Sequence, residues 1–171
     1  MAAEGRVPDV CSPAMLTYEI GTSGQSLRFT DAVLDHFDAY RQLLPGSREA
    51  GGHLFARVED NLVEIVHASG PEPKDLRSRL LFAFRKKAAQ RIIDARFAKG
   101  EHYVGDWHTH PEDIPSPSGI DQTTMASRFK RSDHGLRSMI FCIVGRSPFP
   151  EGLAVLVHNG VLGVRLTSAS G

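Results

Sequence analysis

The chain has 171 residues, of which 41% are hydrophobic, so it is long enough to fold as one domain around a substantial core. Its 20 basic and 20 acidic side chains cancel, and this balance gives no electrostatic indication of a nucleic-acid or membrane partner. No apolar run approaches the length that crosses a bilayer, and the N-terminal sequence MAAEGRVPDVCSPAM lacks the apolar centre of a secretory signal.

The first third of the chain predicts two strands, a helix and a hairpin. Alternation of polar and apolar residues in LTYEI and SLRFT indicates two short strands around the turn GTSGQ. Thr30 or Asp31 can cap a helix over about 31–44, which a Pro-Gly pair ends. The segments GGHLFARVE and NLVEIVHAS then predict a hairpin that turns at 59–61. The helix has one apolar stripe at helical spacing, made of Val33, Leu34, Phe37, Tyr40 and Leu44.

The middle of the chain predicts a loop, a second helix and a strand. The segment SGPEPKDLRSR is rich in proline, glycine and charge, which indicates a loop from Ser69 to Arg79. A helix over about 85–98 follows, and Gly100 stands where a C-terminal cap belongs. The next segment, EHYVGDWHTH, is typical of a strand. The inward positions of the helix are Ala88, Ala89, Ile92, Ile93 and Phe97.

The last third predicts a helix over about 119–131 and strands in LRSMIFCIVG, GLAVLVHN and VLGVRLT. This mixture of elements indicates an α+β or α/β fold, in which helices pack on a central sheet. We expect a single domain over residues 16–167, with flexible tails at 1–15 and 168–171. The two cysteines, Cys11 and Cys142, lie far apart and lack metal-type spacing, so they are interpreted as free thiols of a cytoplasmic protein.

Two histidines in the segment GDWHTHPEDIPSPSGID have the spacing of ligands on one strand face. Side chains at i and i+2 of a strand point the same way, so His108 and His110 can converge on one point. Pro111 helps to end the strand. If a helix begins near residue 119, Asp121 falls in its first turn, and a loop can return its carboxylate to the histidines. Two imidazoles and one carboxylate leave a fourth position free on tetrahedral zinc, as in catalytic sites.

The alternative is an ordinary loop, with solvated histidines and an aspartate that caps a helix. Six other histidines lack a neighbouring ligand at useful spacing and are assigned to this solvated class: His36, His53, His67, His102, His134 and His158.

A hydrolytic zinc site also needs a group that carries a proton between water and the leaving group. Glu49 is the best candidate, because it stands in SREAGGHLF just before a strand that opens with two glycines. Gly51 and Gly52 allow close approach of backbone. The competing interpretation of Glu49 is a solvated glutamate in a turn.

These residues resemble the JAMM motif of the JAB/MPN metallopeptidases. Glu49 in EAGGHLF is followed downstream by His-x-His-Pro, six residues, Ser118, two residues and Asp121, with no gap or substitution. The resemblance covers about residues 16–166. It implies a curved mixed β-sheet flanked by helices, similar to the cytidine-deaminase architecture, and this agrees with the predicted order of elements.

The resemblance also implies a role for each matching residue. His108, His110 and Asp121 would bind one Zn²⁺ ion, and Glu49 would act as general base and acid. Ser118 would stabilise the oxyanion of the tetrahedral intermediate, a donor typically worth about 3 kcal/mol. Ser118 is equally suited to cap the helix that follows, and one hydroxyl can do both.

Family members of this kind hydrolyse isopeptide or peptide bonds after the C-terminus of ubiquitin or a ubiquitin-like protein. The short form here looks most like the bacterial branch, which is encoded beside E1-like and E2-like enzymes, often in antiviral operons. The implied partners are therefore a ubiquitin-like protein, its conjugated target and these two enzymes. We expect the extended tail of the ubiquitin-like protein to pass between loops 69–80 and 112–118.

Three other functions compete with this one. A peptidase that trims a sulfur-carrier protein would use the same site and chemistry. A non-catalytic MPN-type scaffold would bind partners, but such proteins typically lack the zinc ligands that are present here. A zinc deaminase is disfavoured, because its His-x-Glu and Pro-Cys-x-x-Cys pattern is missing.

Overall fold

The computed structural model describes residues 15–72, 76–77, 82–83 and 86–169. Most of the predicted N-terminal tail, with Cys11, and parts of the predicted loop over 69–80 lie outside these residues. Within them the chain forms an eight-stranded mixed sheet, a two-stranded ribbon and three helices. None of the described helices is long and apolar enough to cross a membrane.

The strands of the main sheet lie in the order β1-β2-β4-β3-β7-β8-β9-β10. The pairs β2–β4 and β7–β8 are parallel and the other pairs are antiparallel. The strand bounds are β1 Thr17–Glu19, β2 Ser26–Phe29, β3 Gly51–Glu59, β4 Leu62–Ala68, β7 His102–Thr109, β8 Met139–Val144, β9 Leu153–His158 and β10 Gly163–Arg165.

The sheet curls until its two ends meet. Tyr18 in β1 forms an isolated bridge with Ser168, and the N–H of Ala169 donates to the carbonyl of Thr17 at 2.8 Å. These contacts join the described end of the chain to its first strand. The predicted α+β class, with a curved mixed sheet flanked by helices, is confirmed. The division into one domain and two tails stays a prediction.

Helix α1, Asp31–Ala39, packs on one face of the sheet through a core that includes Phe29, Val33, Phe37 and Trp107. Helix α3, Gly119–Arg131, packs on the other face, where Met125 meets a cluster of β8 and β9 side chains. Helix α2, Lys86–Phe97, packs against β7. Residues of β7 therefore alternate between two layers of helix.

The predicted first helix is too long, because α1 ends at Ala39 and not at residue 44. The N–H of Tyr40 bonds to the carbonyl of Phe37, three residues back, which tightens the last turn. The buried side chain of Gln42 then turns inward and bonds to the Ser47 carbonyl and to the β7 strand. Leu44, predicted to face the core, is 73% exposed.

Two smaller expectations also differ from the structure. The region predicted as a continuous loop contains β5, Leu76–Arg77, which pairs with β6, Phe82–Ala83. Phe97, predicted to point inward from α2, is 65% exposed and contacts the ring of His102. The cap at Gly100 is confirmed, since its φ of 74° lies in the left-handed region that favours glycine.

Candidate metal centre and active site

His108 and His110 converge at the C-terminal end of β7. Their Nε2 atoms lie 3.1 Å apart, and both rings are partly buried. The strand ends at Thr109, but the N–H of His110 still donates to the carbonyl of Val144 at 2.9 Å. This bond continues the alignment of β7 with β8 for one residue, so both imidazoles leave the same face of the sheet.

Asp121 brings a carboxylate to the two imidazoles from the first turn of α3. Its Oδ1 lies 3.0 Å from Nε2 of His108, and its Oδ2 lies 3.4 Å from Nε2 of His110. The structure therefore brings together the three residues that the sequence proposes as zinc ligands. Asp121 also serves as the N3 residue of a helix capping box, so helix geometry fixes the position of its carboxylate.

The loop over 111–118 returns α3 to the strand because it is anchored along its length. The N–H groups of Arg146 and Ser147 donate to the carbonyls of Glu112 and Asp113, at 2.7 and 3.1 Å. Further along, Nη1 of Arg165 donates to the carbonyl of Pro115 at 3.1 Å. The sequence predicts a loop that returns Asp121 to the histidines, and these contacts with the turn after β8 and with β10 hold that loop in place.

Ser118 caps α3 in this structure. Its Oγ accepts a hydrogen bond from the N–H of Asp121 at 3.2 Å and donates to Oδ2 of the same residue at 2.6 Å. The Ser118 N–H donates to that oxygen as well, at 2.7 Å. The capping role expected of Ser118 is confirmed. A serine hydroxyl has one proton, so donation to an oxyanion would replace its bond to Asp121 while leaving the cap intact.

Glu49 is buried, which excludes the alternative of a solvated glutamate in a turn. One carboxylate oxygen lies in a group with a ring nitrogen of His108 and of His110, in which all three atoms are within 4.8 Å of one another. The next residue pairs with the end of β7, because the Thr109 N–H donates to the Ala50 carbonyl at 2.8 Å. This pairing sets Glu49 beside the histidines although almost sixty residues separate them.

The charges of the centre shift the pKa values of its members. Burial raises the pKa of Glu49 to about 7, although the neighbouring His110 acts in the opposite direction. Burial would raise the pKa of Asp121 too, but hydrogen bonds from His108, His110 and Ser118, with the charge of His108, outweigh burial and hold that pKa well below its ordinary value. Burial alone would lower the pKa of His110, but its hydrogen bond to Asp121 and the charges of Asp121, Glu112 and Glu49 together raise that pKa.

The donor set fits zinc. Imidazole nitrogen and carboxylate oxygen are its usual ligands, at about 2.0–2.2 Å, which places neighbouring donors of a tetrahedral ion about 3.3 Å apart. The two Nε2 atoms are 3.1 Å apart, Oδ1 of Asp121 lies 3.0 Å from that of His108, and Oδ2 of Asp121 lies 3.4 Å from that of His110. Glu49 adds a fourth group that could hold a metal or stand beside it.

The assignment of six histidines to a solvated class is wrong for most of them. His53 and His158 are buried, His36, His67 and His134 are partly buried, and His102 is exposed. His53 is the important case, since its Nδ1 lies 2.7 Å from Oδ1 of Asp106. This pair was missed because its partners are 53 residues apart in sequence and no local motif joins them.

A curved mixed sheet that joins two strand histidines, a helix aspartate and an upstream glutamate defines the class of JAB domains. The family model described as prokaryotic homologs of the JAB domain matches residues 34–155, and the chain belongs to this family.

Two curated relatives carry the name CD-NTase/cGAS isopeptidase. The protein of Pseudomonas aeruginosa is 34% identical over 124 residues, which cover 71% of this chain and 78% of the relative. The protein of Vibrio cholerae is 33% identical over 120 residues, which cover 68% of this chain and 74% of the relative. A protein of Desulfitobacterium hafniense solved in solution shares the fold, with a TM-score of 0.57 and 17% identity over 80% of this chain and 87% of its own.

Proposed function

We propose that this chain is a zinc-dependent isopeptidase that cleaves after the C-terminus of a ubiquitin-like protein in a bacterial conjugation system of antiviral defence. The observation that carries the proposal is the convergence of Asp121 with His108 and His110, with the buried Glu49 beside them. The name shared by the two relatives supports isopeptide cleavage and a target of the CD-NTase/cGAS class.

The residues of the site divide the chemistry among them. His108, His110 and Asp121 would hold the ion, which supplies a Lewis acid that polarises a carbonyl and makes water a nucleophile near neutral pH. Glu49 takes a proton from the attacking water as the new C–O bond forms. When the C–N bond breaks, Glu49 returns that proton to the departing lysine amine.

Ser118 would donate a hydrogen bond to the oxyanion of the intermediate. Its hydroxyl proton points to Asp121 here, and rotation about the Cβ–Oγ bond redirects it without loss of the cap.

The partners follow from the same proposal. The ubiquitin-like protein would enter with its extended C-terminal tail, and its conjugated target would leave as the amine. E1-like and E2-like proteins of the same operon would form the conjugate that this chain removes, and the setting would be the cytoplasm.

The experiment uses a ubiquitin-like protein joined to a CD-NTase lysine through an isopeptide bond, with intact mass as the readout of the cut position. We expect cleavage after the last residue of the ubiquitin-like protein by the zinc-loaded chain. Glu49→Gln should abolish cleavage and keep zinc. The control Glu59→Gln, at the exposed end of β3, should keep both cleavage and zinc. Continued cleavage by Glu49→Gln would show that the role of Glu49 is wrong.

The same assay separates the alternatives. Cleavage of a linear fusion to a sulfur-carrier protein, with no cleavage of the isopeptide conjugate, would favour the trimming peptidase. A purified chain that holds no zinc and cleaves neither substrate would favour the scaffold.

A further inference from the structure

A polar cluster lies beside the metal centre, on the same face of the sheet and nearer to the N-terminal end of β7. Asp106 is at its middle and is 8% exposed. Its Oδ1 contacts Nδ1 of His53 at 2.7 Å and accepts from the Tyr103 hydroxyl at 3.0 Å. Its Oδ2 lies 2.9 Å from Nε of Arg128. We name these four residues, His53, Tyr103, Asp106 and Arg128, the Asp106 cluster.

The Asp106 cluster and the metal centre both connect strand β7 to helix α3. In β7, Asp106 precedes His108 by two residues, so both side chains leave the same face. In α3, Arg128 follows Asp121 by seven residues, which is close to two turns, so both side chains leave one face of the helix. The ion pair Arg128–Asp106 and the contact Asp121–His108 are therefore two bridges between one helix and one strand.

Strand β3 adjoins both the metal centre and the Asp106 cluster. Gly51, two residues after Glu49, pairs with His108, and His53 pairs with Asp106. The Asp106 cluster thus joins β3, β7 and α3, and every residue of the proposed active site lies in one of these three elements or within two residues of its end. Met125 and Phe129 add an apolar contact between α3 and the side chains of β8 and β9. Hydrophobic attraction is not directional, so this contact alone does not orient the helix.

We propose that the Asp106 cluster positions the metal ligands, and that Arg128 holds α3 at the place where Asp121 meets His108 and His110. This inference rests on the proposed function. The Arg128–Asp106 pair is partly buried, and its charge-assisted contact sets both a distance and a direction, whereas an apolar contact is not directional. Arg128 and Asp106 are positioning residues, because neither lies among the donor atoms of the metal centre.

The test measures zinc affinity, by competition with a chromophoric chelator, and the visible absorption of the Co²⁺-loaded chain. Groups that orient metal ligands typically contribute about 10–100-fold to affinity, so we expect Arg128→Gln to weaken zinc binding by about 10-fold or more. Its Co²⁺ bands should also change, because Asp121 is displaced. Arg128→Lys keeps the positive charge and should restore part of the affinity.

Arg28→Gln is the matched control. Arg28 forms a partly buried ion pair with Glu64 between β2 and β4, at 2.7 Å, away from β7 and α3. We expect it to lose stability and to keep the zinc affinity and Co²⁺ spectrum of the wild type. Thermal unfolding of every variant shows whether the fold is retained. If Arg128→Gln fails to fold, Asp106→Asn and Arg128→Lys provide the same comparison.

The outcomes distinguish this inference from the proposed function. Wild-type affinity and an unchanged spectrum in folded Arg128→Gln would overturn the positioning role while the isopeptidase proposal stands. An equal loss in Arg28→Gln would show a general effect of stability and would overturn it too. A wild-type chain that binds no zinc would overturn both.

Discussion

The N–H of Ala50 donates a hydrogen bond to Oγ1 of Thr109 at 2.9 Å, and the N–H of Thr109 donates one to the carbonyl of Ala50 at 2.8 Å. Thr109 stands between the two histidines and faces away from them, while Ala50 directly follows Glu49. The hydroxyl of Thr109 also donates to Oε1 of Gln42 at 3.0 Å. One buried threonine therefore fixes the distance between the proposed base and the proposed ligands.

Thr109→Val should separate Glu49 from the metal centre while leaving the ligands in place. The variant has the same shape but leaves the buried Ala50 N–H without its acceptor, which costs about 1–3 kcal/mol of unfolding free energy. A misplacement of about 1 Å can cost about 100-fold in rate, so we expect cleavage to fall far more than zinc affinity. Chemical denaturation, single-turnover cleavage and chelator competition measure the three quantities.

The control for this variant is Thr109→Ser, which keeps the hydroxyl and should stay close to wild type. Equal loss of zinc binding and cleavage in Thr109→Val would contradict the separation of the two functions.

Gly52→Ala should destabilise the sheet beside the site. A Cβ at this position would lie 1.6 Å from the Ser69 carbonyl oxygen, which accepts the indole N–H of Trp107 at 2.9 Å. Because the obstacle is backbone, we expect a loss of about 3 kcal/mol or more in unfolding free energy. Gly135→Ala meets nothing within 4 Å and should change stability little. A Gly52→Ala chain with the wild-type melting temperature would contradict this reading of the close approach.

The part of the fold that follows from local spacing could be predicted from the sequence. The i and i+2 period of a strand predicted that His108 and His110 share a face, and the structure confirms it. The predicted third helix, over about 119–131, has the observed bounds Gly119–Arg131, because Ser118 and Asp121 form a local capping box. The close backbone approach expected at Gly52 is also confirmed.

The features of the fold that the sequence did not predict depend on contacts between residues that are distant in sequence. The first helix stops early because Gln42 is bound by Thr109, 67 residues away. His53 can be buried because Asp106, on the neighbouring strand, is a hydrogen-bond partner for its ring nitrogen. Neither interaction leaves a periodic pattern in the chain, so spacing arguments could not find them. The catalytic roles of Glu49 and Ser118 stay predictions.

Adding Zn²⁺ to the metal-free chain should raise its melting temperature. A ligand at about 100 times its dissociation constant stabilises the folded state by about 2.7 kcal/mol. His108→Ala removes a proposed ligand and should abolish most of this rise. His102→Ala, at the exposed start of the same strand, is the control and should keep it. A full rise in His108→Ala would place the zinc elsewhere.

Stability should also depend on His67, which lies in β4 outside the metal centre. Burial, with the charge of Arg96 acting in the same direction, lowers the pKa of His67 from 6.5 to about 4. The ring contacts Phe55 across the β3–β4 pair, with centroids 5.8 Å apart. The folded state therefore favours the neutral imidazole.

We expect the free energy of unfolding to fall as the pH drops from about 6.5 to about 4, because the unfolded chain binds a proton at His67 in this window and the folded chain does not. Above this pH window His67 is neutral in both the folded and the unfolded state, so its contribution to the free energy of unfolding is constant. Burial also lowers the pKa values of His36 and His158, so the contribution of His67 is measured as a difference. His67→Gln should show a flatter dependence of melting temperature on pH than wild type, with a chelator present so that zinc release does not contribute. Parallel curves for the two proteins, or an NMR titration of His67 near 6.5, would contradict the lowered pKa.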